Sequence, residues 1–115
     1  DNKLFLSFGV MGGFQQPQGH LQVITNIVDY ELGPQDALDA LRFSLDVDDM
    51  KTISVEDDLG IQIIKDLESK GHKINVVAGN ERIMFGGAQL AQYNHDTGVI
   101  SLGTEPRKDG SALAY

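Results

Sequence analysis

The chain has 115 residues, of which 41% are hydrophobic and 23% are charged, a composition typical of a soluble globular domain. Its formal net charge is −8 at pH 7, so its surface would repel nucleic-acid backbones and anionic membranes. The absence of cysteine excludes disulfides, thiolate metal sites and a cysteine nucleophile from this chain. No apolar run approaches the ~20 residues that a membrane-spanning helix needs, and the cellular compartment stays open.

The chain starts with the turn-like residues 1–3, without a methionine or the apolar region of a signal peptide. We interpret this start as that of a processed product or of a cut piece of a longer protein. Every second residue of 4–8 is a large apolar one, which predicts a strand. Because a turn precedes this strand so closely, we expect its pairing strand to lie upstream and its own edge to be unpaired.

Gly12 and Gly13 lie between this strand and a helix predicted over residues 17–30. Glycine permits positive φ, and the first N–H groups of a helix lack intrahelical partners. The two glycines could therefore hold an anion or an oxyanion through their backbone N–H groups. The alternative is that they only form a tight turn. His20, in the first turn of the same helix, could likewise be functional or purely structural.

A second helix is predicted from Pro34 to about Arg42, where the arginine would complement the helix dipole. Residues 46–58 are rich in Asp and Glu but lack the ligand spacing of a calcium loop. We interpret them as a solvated loop that carries a short strand at 52–55.

Asp57 or Asp58 is expected to cap a third helix that runs to about Lys70 and stops at Gly71. Its predicted core face consists of Leu59, Ile63, Ile64 and Leu67.

The last part of the chain reads as strands at 73–77, 88–93 and 99–102, with a hairpin turn at 94–98. The histidines His20, His72 and His95 do not stand at zinc-ligand spacing, so we predict neither a metal site nor a cofactor. Consecutive strands late in the chain favour the α+β class, with a sheet that is mostly antiparallel and packed with helices. With 115 residues and neither repeats nor a low-complexity linker, the chain fits one domain or part of one.

Several short segments of this sequence resemble, in the same order, segments of the small subunit of the gamma-glutamyltranspeptidases and their bacterial acylase-like relatives. They are residues 8–13, 16–23, 29–30, 34–40, 42–43, 70–72 and 106–112. The resemblance implies the N-terminal nucleophile hydrolase architecture, in which two sheets lie between helical layers. Two residues depart from the usual pattern near the end of the chain, namely Glu105 in place of an aspartate and Ala114 in place of a glycine.

The resemblance also implies a function in amide cleavage. In that family an N-terminal threonine of the small subunit attacks a gamma-glutamyl amide, and Gly12 and Gly13 match the diglycine whose N–H groups hold the oxyanion. The threonines of this chain, Thr25, Thr52, Thr97 and Thr104, are all internal. The nucleophile is therefore expected upstream, and the residues 1–115 would be the C-terminal portion of the small-subunit domain.

The partners implied are a small gamma-glutamyl or related amide substrate, the large subunit, and the N-terminal part of the small subunit. Because its first strand lacks its partner, the chain by itself is expected to self-associate. Because the chain has no N-terminal nucleophile and only part of the pocket, it is also expected to be inactive alone. Residues 15–18 replace the smaller residues that follow the diglycine in glutathione-cleaving members and look closer to the acylase-like relatives. The alternative function is a non-catalytic assembly or binding module with the same fold.

Overall fold

The computed structural model describes residues 2–113 as six strands, three helices and two 3₁₀ turns. The strands are β1 (Leu6–Met11), β2 (Phe43–Leu45), β3 (Thr52–Glu56), β4 (Lys73–Val77), β5 (Gly87–Tyr93) and β6 (Ile100–Thr104). The helices are α1 (Gln15–Val28), α2 (Pro34–Asp39) and α3 (Ile61–Ser69), and the 3₁₀ turns cover Asp57–Leu59 and Gly79–Phe85. The expectations for Asp1, Ala114 and Tyr115 lie outside the described residues.

The first sheet is antiparallel and has the strand order β1-β5-β6. β5 and β6 are joined by the predicted hairpin turn, in which the Gly98 N–H donates to the Asn94 carbonyl at 2.8 Å. The Asn94 side chain also accepts the N–H groups of Asp96 and Thr97, which explains why this local prediction is confirmed.

β1 forms one edge of the first sheet, and its sequence-based description was wrong in two respects. The strand runs to Met11 rather than ending at residue 8, because its pairing with β5 continues to Gly87. It also has a partner within the chain, with Leu6 opposite Gln92. Only the side of β1 that faces away from β5 is free of a neighbouring strand in the described structure.

The second sheet has the order β2-β3-β4 and contains one antiparallel and one parallel pair. α3 connects the parallel strands β3 and β4, as such a crossover requires. The strands at 52–55 and 73–77 were predicted, but β2 was not. With three residues, β2 is too short to show a period of two in the sequence.

α1 and α2 pack on the first sheet and bury the main hydrophobic core. Its residues are Val10, Val23, Ile27, Ala37, Leu38, Ala88 and Leu90. The closest approach is between α1 and β1, where a Cβ on Gly19 would lie 2.7 Å from the Val10 Cγ1. Only glycine therefore allows the helix to lie this close to the strand.

The observed helix bounds correct the predicted ones. α1 begins at Gln15 rather than near Pro17, because the first-turn N–H groups need no intrahelical acceptor and a proline fits there. α2 ends at Asp39, so Arg42 lies beyond the helix instead of in its last turn.

α3 follows Gly60, which has φ +88°, and neither Asp57 nor Asp58 caps it. On this helix only Ile64 is buried, and Ile63 is 50% exposed. Leu59, Ile63 and Leu67 instead line an open apolar groove beside β2 and β3.

Candidate functional site

The diglycine turn lies between β1 and α1. Gly12 and Gly13 have φ values of +154° and +58°, a region that other residues rarely adopt. Their carbonyls accept the N–H groups of Gln15 and Gln16, each at 3.1 Å, and so begin the helix. Within residues 2–113, the N–H groups of Gly12 and Gly13 donate to no acceptor. Two adjacent backbone donors are thus available at the helix N-terminus.

The surroundings of the two glycines differ. A Cβ on Gly13 would meet no atom within 4 Å, so its open side faces free space. A Cβ on Gly12 would lie 3.1 Å from the Cα of Gly86 and 3.4 Å from the Cβ of Gln15. The turn therefore rests on the bend before β5 on one side and presents Gly13 on the other.

A groove of about 430 Å³ lies near the diglycine, between residues of β1, β5 and the first turns of α1. It is lined by Gly9, Val10, Met11, Gln16, His20, Gly87 and Gln89. Met11 and Phe14, the apolar residues on either side of the diglycine, are both exposed. The groove is thus lined by residues that precede and follow the diglycine in the sequence.

The His20 side chain forms hydrogen bonds to backbone groups near the diglycine turn. Its Nδ1 lies 2.7 Å from the Gln16 carbonyl, and its Nε2 lies 3.3 Å from the Val10 amide nitrogen. Since the Gln16 carbonyl can only accept, Nδ1 carries the proton and Nε2 accepts the Val10 N–H. The ring also packs against Phe8, with centroids 5.4 Å apart. Both ring nitrogens are therefore engaged, which supports the structural interpretation of His20.

A network of buried charges lies behind the turn. Arg42 donates to Glu105 at 2.7 Å, and Arg107 donates to Glu105 at 2.7 Å and to Glu56. The partly exposed Arg82 donates to Glu56 at 2.7 Å. These residues join the ends of β3 and β6 to the segment after α2, so the network connects the two sheets.

The charge network also holds the bend on which Gly12 rests. Arg42 Nη1 donates to the carbonyls of Phe85 and Gly86, at 3.3 and 3.4 Å. Glu105 accepts the N–H of Ala88 at 2.8 Å. The bend from Phe85 to Ala88 is thus tied to the network on both sides. The buried ion pairs therefore support the bend, which in turn packs against Gly12.

Burial and pairing shift the pKa values within the network in opposite directions. Burial alone would raise the pKa of Glu56, but hydrogen bonds from Arg107, Arg42 and Arg82 outweigh it and hold that pKa below its ordinary value. Burial lowers the pKa of Arg42, which Glu105 only partly opposes. The pKa of Arg107 is raised despite burial, because it is bonded to both Glu56 and Glu105.

Sequence reasoning located Gly12 and Gly13 between a strand and a helix, as in the structure, but missed the charge network. Glu56 was included in the solvated acidic run, yet it is 0% exposed. Arg42 was expected to complement a helix dipole, yet it is buried against Glu105. No local pattern in the sequence indicated this burial, because Glu56 occupies the same alternating positions of the strand as the polar residues Thr52 and Ser54.

The three histidines do not come together as metal ligands. Among residues 2–113, no three side chains of His, Cys, Asp or Glu are placed to hold a metal ion. His72 follows α3, and its backbone N–H donates to the Leu67 carbonyl at 3.2 Å. His95 contacts the Leu4 carbonyl and the ring of Tyr93. Within the same described residues, no helix has the length and apolar character needed to cross a membrane.

Comparison with known proteins gives consistent matches. The profile of the family described as Gamma-glutamyltranspeptidase matches residues 1–115. The chain is 29% identical over 109 residues to the glutathione hydrolase-like YwrD proenzyme of Bacillus subtilis (strain 168), covering 92% of this chain and 20% of that protein.

Solved structures show the same fold. The cephalosporin acylase from Bacillus halodurans superposes with a TM-score of 0.86 and 45% identity, over 94% of this chain and 19% of that one. A mutant of the Helicobacter pylori gamma-glutamyltranspeptidase gives a TM-score of 0.80 and 28% identity, over 94% of this chain and 56% of that one. These neighbours confirm the predicted α+β architecture of the N-terminal nucleophile hydrolase type.

The chain spans about a fifth of the length of the two Bacillus proteins. The family match nevertheless extends from the first residue to the last, and it includes all the short segments that carry the resemblance in the sequence. The chain belongs to the gamma-glutamyltranspeptidase family.

Proposed function

We propose that this chain is the C-terminal portion of the small-subunit domain of an enzyme that cleaves gamma-glutamyl or related amides. In this proposal the N–H groups of Gly12 and Gly13 hold the substrate's carbonyl oxygen as it becomes an oxyanion. The observation that carries the proposal is that both N–H groups are without an acceptor in residues 2–113, at the start of α1. Donors of this kind are typically worth ~3 kcal/mol of transition-state stabilisation each.

The nucleophile in this proposal is an N-terminal threonine located upstream of residue 1. Its hydroxyl oxygen attacks the carbonyl carbon, and its own α-amine takes the hydroxyl proton. The carbonyl π electrons move onto the oxygen, which is stabilised by the diglycine until the tetrahedral intermediate collapses. The C–N bond then breaks, the leaving amine takes the proton from the threonine's α-ammonium group, and the acyl group stays on the threonine oxygen as an ester that water hydrolyses. Because all four threonines of this chain are internal, we expect the chain alone to hydrolyse no gamma-glutamyl amide. Turnover of a chromogenic gamma-glutamyl anilide by the purified chain would contradict this.

Two substrate classes are to be compared. The relative YwrD is described as glutathione hydrolase-like, which favours gamma-glutamyl amides. The 45% identity to a cephalosporin acylase favours acyl amides on a β-lactam nucleus. Both classes contain an amide whose carbonyl would meet the same diglycine. The full-length protein should therefore be assayed on a gamma-glutamyl anilide and on an acylated cephalosporin.

The test of the oxyanion role is the Gly13→Ala variant of the full-length protein. The added methyl group projects into open space, so it should obstruct a substrate carbonyl without contacting the protein. We expect the acylation rate to fall by ~10²-fold while self-cleavage and subunit assembly persist. Pre-steady-state acylation and gel electrophoresis of the subunits measure the two effects.

Gly79→Ala is the matched control. Gly79 has φ +57°, and a Cβ there also meets no atom within 4 Å, so its conformational cost equals that at Gly13. It should leave the acylation rate within two-fold of the parent. If Gly13→Ala behaves like this control, the diglycine is only a turn. The non-catalytic assembly or binding module would then be the better description of the chain.

A further inference from the structure

Side-chain amides of α1 pair with the exposed edge of β2. Gln22 accepts the Phe43 N–H at 2.9 Å and donates to the Phe43 carbonyl at 3.0 Å. Gln18 accepts the Leu45 N–H at 2.7 Å and donates to the Leu45 carbonyl at 3.1 Å. Each glutamine thus makes the two bonds that a residue of a neighbouring strand would make.

The spacing of the two glutamines matches that of the strand. Gln18 and Gln22 are four residues apart on the helix, a rise of ~6 Å. Phe43 and Leu45 are two residues apart on β2, a distance of ~6.6 Å, and their backbone groups point to the same side. The pair of amides therefore replaces a strand at the edge of the second sheet, where β2 has β3 on its other side.

A third amide links this contact to the diglycine. Gln15, the first residue of α1, is 5% exposed and donates from Nε2 to the Phe43 carbonyl at 3.0 Å. Its Cβ is 3.4 Å from the Cβ position of Gly12, and its Cγ is 3.7 Å from that of Gly86. The same side chain thus contacts the turn, the bend below it and β2.

We infer that Gln18 and Gln22 are positioning residues that set the place of α1, and with it the N–H groups of Gly12 and Gly13, relative to the second sheet. The apolar contacts of Val23 and Ile27 hold the helix against the first sheet, but such contacts are not directional. The paired amides are directional and fix the helix along its axis. This inference rests on the proposed function where it concerns catalysis.

The first test needs no activity. In the isotope-labelled chain, the double variant Gln18→Met/Gln22→Met keeps side-chain length but removes the paired amide bonds. We expect changed amide chemical shifts for Gly12 and Gly13, and faster hydrogen exchange at Phe43 and Leu45. The amide of Gly98, in the distant hairpin turn, serves as the reference and should not change. Unchanged shifts at both Gly12 and Gly13 would overturn the inference.

The second test uses the full-length protein. A misplacement of about 1 Å can cost ~10²-fold in rate, so kcat for acylation should fall by about 10- to 100-fold with KM within three-fold. The matched control is Gln62→Met, since among residues 2–113 the exposed Gln62 amide bonds only to Asp66 on its own helix. That variant should keep kcat within two-fold of the parent.

A conservative variant provides a pH readout. Gln22→Glu retains an acceptor for the Phe43 N–H but regains a donor for the Phe43 carbonyl only when the carboxyl is protonated. Its kcat relative to the parent should therefore rise as the pH falls from 8 to 5, and a flat ratio would contradict the inference. If the Gln18→Met/Gln22→Met protein folds and keeps the parental kcat while the Gly13→Ala protein loses activity, the inference is wrong and the proposed function stands. An unaffected Gly13→Ala protein would instead overturn the proposed function.

Discussion

Gly12 and Gly86 pack against each other backbone to backbone, with the Cα of Gly86 3.1 Å from the Cβ position of Gly12. On its other side, Gly86 faces the end of β1, where a Cβ would lie 2.8 Å from the Val10 Cγ1 and 2.9 Å from the Met11 carbonyl oxygen. Neither glycine has room for a side chain. The diglycine turn is thus supported by a second glycine bend that is distant in the sequence.

This packing predicts that Gly86→Ala is strongly destabilising. Gly86 has φ +90°, and the added methyl group would overlap β1, so the free energy of unfolding should fall by about 3 kcal/mol. The matched control is Gly71→Ala, where φ is +93° and a Cβ meets nothing within 4 Å. Its cost should be about 1 kcal/mol. Denaturant unfolding of the purified proteins measures both values, and equal losses would show that the packing is not decisive.

The buried charge network predicts a large effect of Arg107→Met. The Arg107 side chain is 2% exposed, and its removal would leave Glu56 and Glu105 short of one cation. Loss of one partner from a buried pair typically costs about 3–5 kcal/mol. Lys73→Met is a suitable comparison, since its ion pair with Asp49 is 3.9 Å long and exposed, and should change stability little. Thermal unfolding that gave the same shift for both variants would argue against the network's role.

The lowered pKa of Glu56 predicts a loss of stability in acid. A carboxyl whose pKa is lower in the folded than in the unfolded state contributes stability that is fully present above the unfolded value. Since the ordinary value is 4.5, we expect the free energy of unfolding to decline as the pH falls below it and through the lower folded-state pKa. The Glu56→Gln variant should be less stable at pH 7 and show a shallower decline. Urea titrations at several pH values between 7 and 3 make the comparison.

The free edge of β1 predicts self-association of the chain. The Val10 N–H points away from β5 towards His20, so by alternation the N–H groups of Leu6 and Phe8 also face the open side. Leu4, Phe5 and Met11, which flank this edge, are exposed. Sedimentation velocity should show concentration-dependent dimers or larger species, and Leu6→Pro should reduce them by removing one edge donor. A compact monomer at all concentrations would refute the prediction.

The sequence alone allowed prediction of those helices, strands and turns that are specified by residues only a few positions apart. The hairpin turn at 94–98 could be predicted because Asn94 and Gly98 satisfy their own backbone groups. The diglycine junction could be predicted because a strand and a helix on either side each have a clear period. The family resemblance could also be recognised, since it depends on the order of short sequence segments along the chain.

Tertiary structure alone decided which distant residues meet. Arg42 and Glu105 are 63 positions apart, and Glu56 and Arg107 are 51 apart, so no local period relates them. Charged residues usually favour solvent, and only the convergence of the two sheets makes burial of Glu56 favourable by supplying arginines. Likewise, three residues of β2 became a strand because β3 on one side and the amides of Gln18 and Gln22 on the other satisfy its backbone. Which distant residues form these ion pairs and backbone hydrogen bonds depends on how the whole chain folds.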